Sequence, residues 1–437
     1  MPRTAITFAA ILIVFALPAA AGEALTAFFA ERAVPLEGPA DLDPLLEGVG
    51  ERHLVLLGEA SHGTQEFYTW RAEISKRLIT EKGFDFIAVE GDWASLYRLN
   101  KFVKHLPGAP ASARDALEAL SRWPEWMWGN TAVLELAEWL RAHNEDLPPG
   151  ERIGFYGMDV YGHWQALDDL LAYTMEHLAD YHQTIEEHFT CFDAHGRNGR
   201  QYARAVAAGQ GSCQDAVNAV VRLLREHGDD LAESDSKAYF RAKQNALVVR
   251  NAEEHYRFSA QGGPGSWNSR ATHMWVTVQR LLAFHGPEAK GVVWAHNTHV
   301  GDARATTMAQ QGMVNIGQLS RQNLGAHAVF SNGFGTYSGE VNAGLQWEAP
   351  MQIMETPEAA SGSFEAIMAA VEHEEFYVAM DAAVRAHAPL ASPRGHRAIG
   401  VVFDPRGEAR NYVPTVLPQR YDGFIFIRHT SALEPVE

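Results

Sequence analysis

The chain has 437 residues, 46% hydrophobic and 21% charged, with 36 Lys and Arg against 54 Asp and Glu for a net charge of −18. This is globular composition, long enough to bury a large core unaided. Its acidic balance excludes a nucleic-acid grip and electrostatic docking on anionic lipid, both of which need a basic surface. With only 2 cysteines, Cys191 and Cys213, it also excludes a disulfide-rich scaffold and a thiolate zinc cage, and it leaves 20 histidines to be accounted for.

The N-terminus opens with Met1-Pro-Arg3, continues through an apolar run from Ala5 to Leu17, and ends in Pro18-Ala-Ala-Ala-Gly22. A basic start, an apolar core and small residues in A-x-A order predict a secretory signal peptide over residues 1–21, cleaved after Ala21. The mature protein, from residue 22, is then periplasmic or secreted, with no stable membrane insertion. In an oxidising compartment Cys191 and Cys213 either pair or remain separate buried thiols, because spacing alone gives no geometry.

Beyond the leader, short apolar runs alternate with helical patterns, which predicts an α/β fold: a mostly parallel central sheet flanked by helices. Strands are expected at His53–Leu57, Phe84–Val89, Ile153–Tyr156, Val292–Trp294, His327–Phe330, Phe376–Ala379, Ala398–Phe403 and Phe424–Ile427. Helices are expected at Glu66–Glu81, Trp93–Phe102, Val133–His143, Trp164–His177 and His273–Phe284, with a Pro- and Gly-bearing loop at Lys104–Ala113. Between about 164 and 260 the strand signal disappears, so a helical insertion or subdomain is expected there.

Four of the predicted strands run directly into acids or histidines. The first leads into Gly58-Glu-Ala-Ser-His-Gly-Thr64, the second into Glu90-Gly-Asp-Trp93, the third into Gly157-Met-Asp-Val-Tyr161, and the fourth into Ala295-His-Asn-Thr-His299. Ligands of open parallel sheets sit outside the carboxyl ends of the strands. If these strands are parallel, Glu59, His62, Glu90, Asp92, Asp159, His296 and His299 share one rim. Caps and turns account for Ser61, Thr64, Asp92 and Asp302 without invoking chemistry. Glu59 and Glu90 are harder to dismiss, because a carboxylate beside an apolar strand is costly unless paired or functional. A histidine suits general-base work near neutral pH, with a carboxylate to fix its tautomer. Arg71, on the following helix, could pair with a carboxylate or bind an oxyanion, or be an ordinary surface charge.

The chain has no G-x-S-x-G elbow, no H-E-x-x-H helix, no P-loop and no C-x-x-C pair. What remains is water activated by histidine and carboxylate, or by a divalent metal held through Glu59, His62, His296 and His299. The metal-free route is preferred because this spacing matches no ligand motif.

These motifs in order, Gly58-Glu-Ala-Ser-His-Gly-Thr-Gln-Glu-Phe67 with Arg71, Val89-Glu-Gly-Asp-Trp93, Gly154-Phe-Tyr-Gly-Met-Asp159, Val293-Trp-Ala-His-Asn-Thr-His-Val-Gly-Asp302 and the closing Thr430-Ser-Ala-Leu-Glu-Pro435, resemble the erythromycin esterase family. The resemblance runs from about His53 to Pro435. It implies an α/β core with a helical subdomain, a deep cleft, and ring-opening hydrolysis of macrolide lactones by activated water; it does not choose between no cofactor, the expectation from the spacing, and a divalent metal, the alternative. By resemblance Glu59, His62, Arg71, Glu90, His296 and His299 hold the catalytic positions, and Trp93, Asp159, Asn297 and Arg270 are expected to contact substrate. One departure follows Asn268-Ser-Arg270, where an acidic residue is expected and Ala271 stands instead. The partner expected is a small-molecule ester or lactone. The rival from another class is a non-catalytic exported protein that binds a metal, a haem or a glycan on the same rim.

Overall fold

The computed structural model describes residues 19–436, so most of the expected signal peptide lies outside the described residues. The described chain is built on eleven strands: β1 (Val34–Pro35), β2 (Leu54–Leu57), β3 (Phe86–Asp92), β4 (Gly154–Asp159), β5 (Gly291–Trp294), β6 (Val329–Ala343), β7 (Gln352–Thr356), β8 (Glu375–Ala379), β9 (Arg394–Arg397), β10 (Tyr412–Thr415) and β11 (Gly423–Thr430). Nine form one sheet in the order β1-β8-β11-β6-β2-β5-β3-β4, with β7 paired to β6, while β9 and β10 make a separate hairpin. The six strands from β11 to β4 are mutually parallel; β7 and β8 run against them, and β1 pairs antiparallel with β8 at the edge. The expected mostly parallel sheet flanked by helices is therefore present.

The central strands explain themselves. Leu54-Val-Leu-Leu57 and Gly291-Val-Val-Trp294 are buried at every position, as continuous apolar runs must be when helices cover both faces of a parallel sheet. The two faces carry separate apolar clusters: Leu54 and Leu56 pack into one, and Val55 and Leu57 into the other. The helix after β2, Gln65–Lys82, ends at Gly83 in the left-handed region (φ 68°), which favours glycine. From His163 to Ser259 the chain is helical without a strand, and helix Gly265–His285 then leads back to β5. Among the described residues no helix is long and apolar enough to cross a membrane.

Two features depart from expectation. Ala398–Phe403 is not a strand; Ile399 and Val402 make only isolated bridges, to Ser61 and Gly344. The hydrogen bond from Ile399 N to Ala60 O, 2.7 Å, holds this segment across the loop after β2 instead of beside another strand. β6 extends to Ala343, well beyond Phe330, because its later polar and glycine residues pair with β11 on one side and β7 on the other. Cys191 and Cys213 are joined as a disulfide within the helical region.

Candidate active site

The expected rim forms because β2, β3, β4 and β5 are neighbours and parallel, so their carboxyl ends open on one side. The loop after β2 lies close against the turn after β5. A Cβ on Gly58 would sit 2.1 Å from Asn297 Oδ1, so no larger residue fits there. The Asn297 amide N–H donates to Glu59 O at 2.9 Å, tying the two loops together.

Glu59 is fully buried and divides its oxygens between two partners. Oε1 accepts from His62 Nδ1 at 2.7 Å, and Oε2 faces Arg71 Nη2 at 2.7 Å. The Arg71 guanidinium is fully buried and lies over the rings of Tyr68 (4.3 Å) and Trp294 (4.8 Å). It is therefore buried against Glu59, and the alternative of a surface charge fails. Burial opposes a charge on His62, but the hydrogen bond and charge of Glu59, with help from Glu90, outweigh it and raise the ring's pKa above its ordinary value. With Nδ1 engaged by Glu59, Nε2 makes no hydrogen bond among the described residues.

The His296 ring lies 4.9 Å from that of His62. Burial and the neighbouring His62 push His296 well below its ordinary pKa, so it stays neutral. Its Nδ1 lies 2.8 Å from Thr298 Oγ1 and accepts from Thr298 N as the cap of helix Asn297–Val300, and a hydrogen bond to the Ala60 backbone partly offsets the lowering.

Glu90, Asp159, Arg270 and His299 form the second half of the rim. Arg270 donates from Nη2 to Glu90 Oε1 (2.7 Å), and from Nε and Nη2 to Asp159 Oδ1 (2.9 Å) and Oδ2 (2.5 Å). His299 Nε2 lies 3.2 Å from Glu90 Oε1 and 3.1 Å from Arg270 Nη1. Glu90 Oε2 accepts from the His296 backbone N–H at 2.9 Å. Burial would raise the Glu90 carboxyl, yet the charges of His299 and Arg270 hold it well below the usual range; Arg270 does the same for Asp159 against its burial. The acidic residue expected after Arg270 is not needed, because two other strands supply the counter-charges; Ala271 is fully buried.

Two expected substrate contacts prove to be interior groups. Trp93 is 1% exposed, with its ring stacked on Tyr156. Asn297 is fully buried, with Nδ2 donating to Phe334 O at 2.7 Å and lying 3.2 Å from His396 Nε2. Behind it His396 and Glu365 make a second buried pair, Nδ1 to Oε1 at 2.5 Å. Asp92 does not cap its helix; it takes a bidentate contact from Arg122 at 2.5 and 2.9 Å. Asp302 is a turn former, accepting from Arg304 N.

Two aromatic residues were missed. Trp267 stacks flat on His299, centroids 4.5 Å apart, and Tyr161 lies under Arg270 at 5.0 Å and Arg122 at 5.1 Å. Trp267 stands three residues before Arg270 on one helix, a spacing that puts both on one face and could have found it.

Among the described residues no three His, Cys, Asp or Glu side chains converge to hold an ion. The ring nitrogens nearest the carboxylates are already engaged, and the Arg270 cation lies between Glu90 and Asp159.

The fold is α/β with histidines and carboxylates gathered at one rim of a mostly parallel sheet, and comparison with known proteins gives the family. The chain belongs to the erythromycin esterase family, which matches residues 79–430; the loop carrying Glu59 and His62, and Arg71 on the helix that follows it, precede the matched part. Among solved structures it is similar to a succinoglycan biosynthesis protein (20% identity, TM-score 0.77, covering 94% of this chain and 98% of that one). It is also similar to a Bacillus cereus protein (19% identity, TM-score 0.80, 95% and 99%). A third is a histidine-to-asparagine mutant of the erythromycin esterase EreC in its open conformation (16% identity, TM-score 0.66, 91% and 97%). At these identities the likeness speaks for the fold.

Proposed function

We propose that this protein is an exported carboxylic-ester hydrolase in which His62, oriented by Glu59, activates water. The observation that carries the reading is the pairing of two histidines with opposite tendencies. His62 is anchored through Nδ1 on Glu59, and His296 faces it as a ring that burial keeps neutral. In the neutral enzyme His62 Nε2 takes a proton from water as the oxygen attacks the ester carbonyl. The His296 N–H and the Arg270 guanidinium are the donors for the oxyanion that develops. Collapse expels the alkoxide, which takes the proton back from the His62 imidazolium, leaving acid, alcohol and the enzyme as it began. Arg71 holds Glu59, and Glu90 and Asp159 hold Arg270. Export is supported by the leader-like N-terminus and by the disulfide, which persists in an oxidising compartment.

The test is incubation of the pure protein with simple esters and macrolide lactones, with and without chelator, products read by mass. Hydrolysis that survives chelation is expected. Loss of all hydrolysis on chelation would move the reading to a metal-dependent hydrolase, and no hydrolysis at all would remove it.

A further inference from the structure

Two cavities adjoin the rim between the helical region and the sheet. One, of about 740 Å³, is lined by Ser95, Ser121, Gln165 and Asp169 among others; the second, of about 520 Å³, includes Trp123, Tyr256 and Trp347. They share Arg122, Tyr161, Trp164 and Arg197 as a common wall and lie side by side, a pair of cavities referred to together as the trough. Neither reaches His62, but the trough joins the rim through contacts: Arg270 lies over Tyr161 at 5.0 Å, and Tyr161 lies 6.1 Å from Trp347.

The aromatic walls carry cations on their faces. Arg197 lies over Trp164 at 5.7 Å, Arg200 over Trp347 at 5.2 Å, and Arg122 over Tyr161 at 5.1 Å. Arg122 and Arg197 are paired with Asp92 and Asp168. Arg200 and Arg204, both exposed and both lining the cavity, have no carboxylate partner among the described residues. In a chain of net charge −18 this is a local reversal of sign. A bare aromatic wall would welcome an ammonium group. These faces are already taken by guanidinium groups, which repel a second cation and offer fork-shaped donors to an anion. The hydroxyl, amide and acid groups of the larger cavity suit a chain of hydroxyl-bearing rings.

We infer that the trough binds an acidic oligosaccharide, with its anionic groups on Arg200 and Arg204 and its rings along Trp347, Tyr161 and Trp164. Resting on the hydrolase reading, this makes the substrate an ester carried on an anionic glycan, not a compound bearing an amine.

The experiment is calorimetric titration of the full chain with trigalacturonate, maltotriose and erythromycin at low salt. Trigalacturonate is expected to bind at least 10-fold more tightly than maltotriose, an advantage that falls as salt is raised. The double variant Arg200→Ala/Arg204→Ala, its fold checked by circular dichroism, is expected to lose that advantage. Equal binding of the two sugars, no binding of either, tighter binding of erythromycin, or an unaltered preference in the folded variant would each overturn the inference. Ester turnover is read separately. Trigalacturonate binding without hydrolysis of any ester would remove the hydrolase reading and leave the trough as a glycan-binding site.

Discussion

The rings of His62 and His296 lie 4.9 Å apart, and their surroundings drive their proton affinities in opposite directions. His62 is raised by Glu59 despite its burial, while His296 is lowered well below its ordinary value by burial and by His62 itself. Groups so close and so separated in pKa suit an acid–base division of labour.

That division fixes the pH profile. A base works when unprotonated, so kcat/KM should fall as pH drops through the folded pKa of His62, and the acid limb should lie above 6.5, the ordinary value for histidine. In Glu59→Gln the carboxylate that raises His62 is gone and burial dominates, so the limb should move to lower pH while kcat falls. A limb that stays in place in a folded Glu59→Gln variant would detach Glu59 from the base. His62→Ala should lower kcat by roughly 10²–10⁴-fold, the usual contribution of a general base, with the thermal unfolding curve unchanged in shape. Full activity there would end the assignment.

Arg270 should matter for stability as well as turnover. Arg270→Ala leaves the buried Glu90 and Asp159 without their shared cation, which should cost about 3–5 kcal/mol. Both carboxyls are depressed in the folded protein, so their stabilisation is present above their ordinary values, 4.5 and 3.8, and is lost as pH falls through the lower folded values. The difference in melting temperature between wild type and Arg270→Ala should therefore be widest near neutral pH and close in acid. A difference independent of pH would mean that Arg270 stabilises by packing alone.

Trp93 separates a core role from a substrate role. Trp93→Ala should destabilise the protein by about 3–5 kcal/mol. Trp93→Phe should recover much of that loss and leave KM for any hydrolysed ester unchanged. A several-fold rise in KM for the folded Phe variant would restore Trp93 to the substrate site.

The disulfide closes a loop with a sequence separation of 22. On chain-entropy grounds, losing it should cost about 3 kcal/mol. Hydrogen exchange on Cys191→Ser/Cys213→Ser should show faster exchange concentrated between residues 190 and 226, with β2 and β5 still protected. Uniform loss of protection across the sheet would show instead that the helical region and sheet unfold as one unit.

The sequence by itself determined the parallel core and the rim. Runs such as Leu54-Val-Leu-Leu57 are apolar at every position, which only a strand covered on both faces tolerates. A carboxylate or histidine after each run falls at a strand end whatever the details. It could not decide which rim residues meet. Arg71 looked free to reach a substrate, yet its helix directs it behind Glu59. Trp93 and Asn297, adjacent to rim residues, turn into the interior because successive residues at a strand-to-helix junction face different ways. Arg270 becomes the partner of Glu90 and Asp159 only because a helix more than a hundred residues distant in the chain packs across the rim. Whether Cys191 and Cys213 meet is likewise a matter of helix packing. Local pattern is written in side-chain polarity and period, whereas partnership among buried charges is fixed by where distant elements come to rest.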